Sequence, residues 1–325
     1  MVEMLSGREV YGDVLVELGS ENRDIVALDA DLSSSTRTGK FAEKYPDRFF
    51  NMGVSEQDMM NTAAGLAVSG KIPFVSTFAI FATGRAWEMI RQSICYPRFN
   101  VKIVATHSGI TVGPDGASHQ CIEDIALMRV LPNMTVIVPA DGYETKGAVR
   151  FAAQYDGPVY IRLARDKFPV LYDDNYKFQL GKALLHGKGK DATIIAAGLM
   201  VHEALKAAES LRQDSIQVGV INMSSIKPLD REAIIKAAQD TGGIVTAEEH
   251  SIIGGLGSAV AEVLAEECPV PMKRVGVKDQ FGTSGNPQEL MIHYGLTAND
   301  ICRAVAEVIK LKETTGVRNP KRVRI

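Results

Sequence analysis

The sequence predicts an α/β protein built from two doubly wound units. Three observations carry that reading: short Val- and Ile-rich runs recur along the 325 residues, helix-length segments or loops separate them, and one polar stretch interrupts the rhythm. Near-continuous apolar strands alternating with helices belong to parallel sheets covered on both faces, a layered α/β architecture. A chain of this length is expected to form about two domains, each with its own core.

The first series of strands reads DIVALDADL, RFFNMGV, KIPFVSTF, NVKIVATHS, MTVIVPA and PVYIRLAR. From Asp166 to Lys190 the stretch DKFPVLYDDNYKFQLGKALLHGKGK is polar and contains Gly and Lys, as a linker would. A second series follows with ATIIAAG, IQVGVINMSS, GIVTAEEH and MKRVGVK, between helices such as MVHEALKAAESL and TANDICRAVAEVIKLKE. The expected division is a first unit over 1–175, a linker over 176–190 and a second unit over 191–325. No internal repeat links the two units.

Composition narrows the function. Hydrophobic residues make up 46% and charged residues 23%, which fits a packed globular chain and argues against extensive disorder. A net charge of −3 offers no field to draw nucleic acid or an anionic membrane. The basic tail RNPKRVRI (Arg318–Ile325) reads as a solvated or subunit-contacting end. Four scattered cysteines without a C-x-x-C pair point to reduced thiols in a cytoplasm, with no metal held through sulfur. The N-terminus alternates charged and apolar residues, unlike a signal peptide, and no run reaches the roughly twenty apolar residues of a membrane span.

In open α/β sheets ligands lie beyond the carboxyl ends of strands, so the loops there are where chemistry is expected. DADLSSST (Asp29–Thr36) carries a hydroxyl run that suits phosphate or the cap of the next helix. HSGITVGPDGASHQ (His107–Gln120) gathers two of six histidines, an aspartate and three glycines into one long connection. Such a loop suits a polar substrate, although Asp115-Gly116 also reads as a turn and Ser118 as the cap of a helix starting at His119. GGLGSAV (Gly254–Val260) has Val260 where a dinucleotide fingerprint needs its third glycine, which favours a tight strand-to-helix turn. Phe78 and Phe81, three apart after a strand, fit either a core helix face or a platform for a flat heterocycle. In NMGVSEQDMM, Glu56 opens an apolar helix, where Ser55 and Asp58 have the spacing of a helix cap.

Taken in order, DADLSSS, GVSEQ, STFAIF, THSGITVGPDGASHQ, MRVLPNMTVIVPAD, LARDKFP and EEHSIIGGLGS resemble the C-terminal half of transketolase, across both units from near residue 25 to near residue 300. The resemblance implies a thiamine diphosphate pyrimidine-binding domain followed by a transketolase C-terminal domain. It implies that Glu56 hydrogen-bonds the cofactor's aminopyrimidine and promotes loss of the thiazolium C2 proton to form the ylide. Phe78 and Phe81 would pack on the pyrimidine, with Asp31 also on the cofactor side. Gly84 stands where a family tyrosine is common, so the stacking surface there is either smaller or supplied by Trp87. Asp115 would bind a sugar hydroxyl and His119 would lie at the reacting carbons. His107 and Arg165, with Ser35, would hold the sugar phosphate, a role suited to the planar guanidinium.

The family's G-D-G metal motif is missing: the Asp-Gly pairs at Asp115, Asp141 and Asp156 are not preceded by glycine. The resemblance therefore implies a split transketolase with no metal ligand of its own. An N-terminal partner would bring the diphosphate domain and its Mg²⁺ or Ca²⁺ in a 2+2 heterotetramer acting on sugar phosphates. Three other readings remain open. The chain could be the β subunit of a 2-oxo acid dehydrogenase, a deoxyxylulose phosphate synthase-like half, or a non-catalytic regulatory subunit that keeps the fold.

Overall fold

A computed structural model describes residues 3–315; the basic tail Arg318–Ile325 lies outside the described residues. The apolar runs form two main sheets. The larger has seven strands in the order Ser225–Lys227, Thr135–Ile137, Val159–Arg162, Lys102–Ala105, Ile72–Ser76, Ile25–Asp29 and Phe49–Asn51. The last six are parallel neighbours, and Ser225–Lys227 pairs antiparallel with Thr135–Ile137. The smaller sheet runs Met272–Val277, Ile244–Ser251, Ala192–Ala196, Val218–Asn222 and Leu184–His186, the last strand antiparallel.

Ile25–Asp29 and Ala192–Ala196 are buried at every position, as expected of strands covered on both faces. Helix Met200–Gln213 repeats Met200, Val201, Ala204, Ala207 and Leu211 on its buried side, the spacing of one helical stripe. Asp141 and Asp230 cap their helices by accepting from Glu144 N at 2.8 Å and Ala233 N at 3.1 Å.

Two features depart from the sequence reading. The stretch read as a linker contributes strands: Lys167–Pro169 pairs with Met4–Ser6, and Leu184–His186 adds an edge to the smaller sheet. It is also anchored from the first half. Asp141 accepts from Leu171 N and Tyr172 N, and the buried Glu144 carboxylate takes hydrogen bonds from Tyr176 and Asn222. Burial pushes the Glu144 carboxyl up from the ordinary value. The second departure is Ser225–Lys227, which follows the second series in sequence yet completes the first sheet. One apolar core accordingly runs from Val75 and Ile103 in the larger sheet to Ile221 and Leu256 in the second half.

The Gly254–Val260 segment is a tight turn. Glu248 Oε2 and Oε1 accept from Leu256 N at 2.7 Å and Gly257 N at 2.8 Å, so the helix start is already filled by the protein's own carboxylate. A Cβ on Gly255 would sit 2.0 Å from Glu248 Oε2, which explains the glycine.

Candidate active site

Five neighbouring parallel strands end at one edge of the larger sheet, and the candidate residues follow them in spatial order. Arg165 follows Val159–Arg162, His107 follows Lys102–Ala105, and Phe78 follows Ile72–Ser76. Asp31 and Ser35 follow Ile25–Asp29, and Glu56 follows Phe49–Asn51. The chain starts at Ile25–Asp29, goes outward to Phe49–Asn51, and returns to Ile72–Ser76 on the other side. That reversal is where an open sheet leaves a crevice.

Glu56 is the first residue of helix Glu56–Val68 and is 1% exposed. Ser55 makes no side-chain cap, so helix capping by the Ser55–Asp58 pair does not explain the carboxylate. Its partner is Arg85: Nη1 lies 2.8 Å from Glu56 Oε2, and the guanidinium sits 4.9 Å above the Phe81 ring. Arg85 ends a π-helical turn, Phe81–Arg85, that carries Gly84 to the surface. Trp87 faces elsewhere, donating its indole N–H to Leu127 O at 2.9 Å.

Phe78 and Phe81 stack at 5.9 Å and 13°. A parallel bridge between Phe78 and Thr106 extends the sheet past its strand ends and brings the His107 ring to 3.8 Å from Phe78. His119 meets Phe81 and Phe78 edge-on at 5.5 and 6.2 Å. Phe78 is buried with the His107 ring against it, while Phe81 keeps part of its ring exposed. No helix begins at His119; Ser118 Oγ instead bonds His119 Nδ1 at 3.0 Å, and the next helix is Asp124–Arg129. The Pro-Asp-Gly-Ala sequence keeps the backbone in turns there, with Gly116 at φ +74°.

His107 is buried, with φ +55°, and its Nδ1 lies 2.9 Å from Thr106 Oγ1. Burial, then the Arg8 and Arg165 charges, push its pKa down to about 3. Among these charges the imidazole is neutral at physiological pH. Arg165 donates to Val112 O at 2.7 Å and lies 3.5 Å from Asp115 Oδ2, which joins Asp115 to the same edge.

Arg8, at the start of helix Gly7–Glu21, escaped the sequence reading. Its Nε donates to Arg165 O at 2.9 Å and its Nη1 to Ser35 O at 2.8 Å, tying together the two loops that flank His107. Burial, followed by the Arg37 charge, lowers its pKa from the ordinary value. No motif marks this arginine; only the fold places it.

The hydroxyl run does not cap a helix through its serines. Asp29 organises the loop, accepting from Leu32 N, Thr36 Oγ1 and Thr38 Oγ1 at 2.6, 2.6 and 2.8 Å. Asp31 stands apart from the aromatic cluster, exposed and hydrogen-bonded to Asn51 Nδ2 at 2.9 Å. Among the described residues, no group of three His, Cys, Asp or Glu is arranged to hold a metal ion, and no helix is long and apolar enough to cross a membrane.

Residues 3–170 match the family described as transketolase, pyrimidine binding domain, and residues 181–301 match transketolase, C-terminal domain. The chain is 51% identical over 306 residues to the putative transketolase C-terminal section of Methanocaldococcus jannaschii, spanning 93% of this chain and 96% of that protein. It is 45% identical over 305 residues to a 6-deoxy-6-sulfo-D-fructose transketolase subunit from a Clostridium species, spanning 94% and 95%. A solved split gene transketolase, described as an inactive beta4 tetramer, matches with a TM-score of 0.89 at 56% identity over 95% of this chain and 99% of that one. The chain therefore belongs to the transketolase family, of which it carries the pyrimidine-binding and C-terminal domains.

Proposed function

We propose that this chain is the C-terminal subunit of a split transketolase. With a separate chain carrying the diphosphate-binding domain, it moves a two-carbon ketol unit from a ketose phosphate to an aldose phosphate. One observation carries the reading: a buried carboxylate, a stacked aromatic platform and an arginine-rich rim lie side by side along one sheet edge. Thiamine diphosphate, when bound, supplies the acidic carbon and the electron sink that ketol transfer needs.

The residues suit the aminopyrimidine side of that cofactor. Glu56 offers a desolvated carboxylate to a ring nitrogen, where it holds and moves a proton, and Phe78 and Phe81 offer flat apolar faces. Asp31, on the neighbouring loop, has a second place on the cofactor side. His119, edge-on to both rings, orients the reacting oxygens of the sugar. Asp115 accepts from a sugar hydroxyl. Arg165 and Arg8 meet the phosphate, Ser35 lies beside them, and neutral His107 donates a single N–H. The diphosphate and its Mg²⁺ or Ca²⁺ fall to the partner, because this sequence has no G-D-G motif. Two copies of each chain complete the assembly in a reducing cytoplasm, with the pyrimidine-binding domain over 1–175, a connection over 176–190 and the C-terminal domain over 191–325.

A second reading changes only the sugar. The Clostridium relative is named for a sugar bearing a sulfonate, and an arginine rim receives that anion as readily as a phosphate.

Reconstitution tests the proposal. This chain, the partner, thiamine diphosphate and Mg²⁺ together should transfer a ketol group, with activity saturating near equal amounts of the two chains. Full activity from this chain alone, freed of any partner, would overturn the split reading.

A further inference from the structure

The second domain reaches into the first through Glu249. This residue lies in strand Ile244–Ser251 of the smaller sheet and is 3% exposed. Its neighbour Glu248 caps a helix of its own domain, but the Glu249 carboxylate crosses to the loop after His107. Oε1 accepts from Thr111 N at 2.7 Å. The carboxyl also presses on Gly109: a Cβ there would stand 2.2 Å from the Glu249 carboxyl carbon. Gly109 has φ +75°, and its N–H closes the loop by donating to Cys121 O at 2.7 Å.

The same domain holds the loop at two later points. Ser284 Oγ donates to Pro114 O at 2.6 Å, and Gln120 Nε2 donates to Thr283 O at 2.9 Å. Glu249 is the attachment nearest His107, and the only one of the three made by an ionisable group.

Keeping a carboxylate there is costly. Arg162 is shared, with Nε 2.7 Å from Asp124 Oδ2 and Nη2 donating to Glu249 O at 2.9 Å. Among the described residues, Glu249 Oε2 takes no hydrogen bond of ordinary geometry. Burial raises the Glu249 carboxyl to about 7, against the pull of Arg162. An apolar residue at this strand position would avoid that cost but would leave Thr111 N–H without its acceptor.

We propose that Glu249 is a positioning residue: delivered by the C-terminal domain, its carboxyl fixes the loop from Gly109 to Gln120 and so sets His107 and Asp115 for a phosphorylated sugar. This rests on the reading of that loop as the sugar site.

The test compares Glu249→Ala and Glu249→Asp, which withdraw the acceptor, with Glu249→Gln, which keeps it. Hydrogen exchange on the full chain should quicken about tenfold or more in peptides covering 107–120 for Ala and Asp, while helices Gly7–Glu21 and Ala298–Thr315 keep wild-type rates. In the reconstituted complex the same two variants should raise KM for the ketose phosphate about tenfold with kcat within about twofold, and Gln should restore wild-type behaviour. Unchanged loop exchange in Ala and Asp would overturn the proposal. So would exchange that rises equally across both domains, or a loosened loop with no change in KM. Exchange is read on the chain itself, so an absence of ketol transfer would refute the sugar-site reading separately.

Discussion

Replacing Arg165 with alanine gives the sharpest test of the anion rim. The side chain is about one-third exposed, with Nη1 engaged by Val112 O at 2.7 Å and Asp115 Oδ2 at 3.5 Å. The rest of the guanidinium fork remains for a phosphate. Losing a hydrogen bond to a charged group costs about 1.5–3 kcal/mol, or about 10- to 150-fold in kcat/KM at 1.36 kcal/mol per tenfold. Truncation also frees Val112 O and shifts Asp115, which penalises every sugar. The informative quantity is therefore a ratio: kcat/KM for a ketose phosphate over kcat/KM for its dephosphorylated counterpart, measured in the reconstituted complex. The shared loss cancels, and the ratio should fall by about 10- to 150-fold. Arg165→Lys, which keeps the charge without the fork, should recover part of it. Equal losses for both sugars would show that Arg165 anchors the loop and does not read the phosphate.

Glu56→Gln should slow exchange of the cofactor's C2 proton in the complex by about 10²–10⁴-fold without unfolding the chain, and near-normal exchange by NMR would remove Glu56 from proton transfer. His107 has a folded pKa of about 3 against an ordinary 6.5. The unfolded chain takes up that proton first, so the stability His107 contributes is complete above pH 6.5 and lost as pH falls toward 3. Urea titrations of His107→Gln should show a shallower loss over that window, and an unchanged slope would contradict the neutral imidazole. Lys102 is fully buried, donating to Asn100 Oδ1, Tyr155 O and Gly157 O. Lys102→Met strands those acceptors and should cost about 2–4 kcal/mol, whereas an equally stable variant in chemical denaturation would show that they find other donors.

The strands were legible because burial on both faces demands unbroken apolar runs, as in Ile25–Asp29 and Ala192–Ala196. Leu184–His186 was not, because its three residues sit half in solvent and become a strand only through pairing with Val218–Asn222. His107, Asp115 and His119 stood out because one long loop directly follows a strand, and Phe78 and Phe81 because they lie just past another, whereas Glu56 and Arg165 were marked through the resemblance to transketolase. Arg8 carries no comparable mark: it is one basic residue at a helix start, and what it ties together lies 27 and 157 residues away. Arg85 was hidden for a different reason, since its link to Glu56 depends on a π-helical turn that no local period announces. Glu249 reaches a backbone N–H 138 residues away, a distance at which sequence pattern says nothing.

Strand Ser225–Lys227 gives the family boundary a different mechanical meaning. It pairs with Thr135–Ile137, Val138 N donates to Ser224 O at 2.7 Å, and Lys227 Nζ reaches Arg129 O at 2.9 Å. The two matched family regions are thus stitched through one sheet. Pulling the two halves apart would have to strip that edge strand from the larger sheet. A shift of Ser225–Lys227 is felt directly by Thr135–Ile137, without the slack a tether would allow.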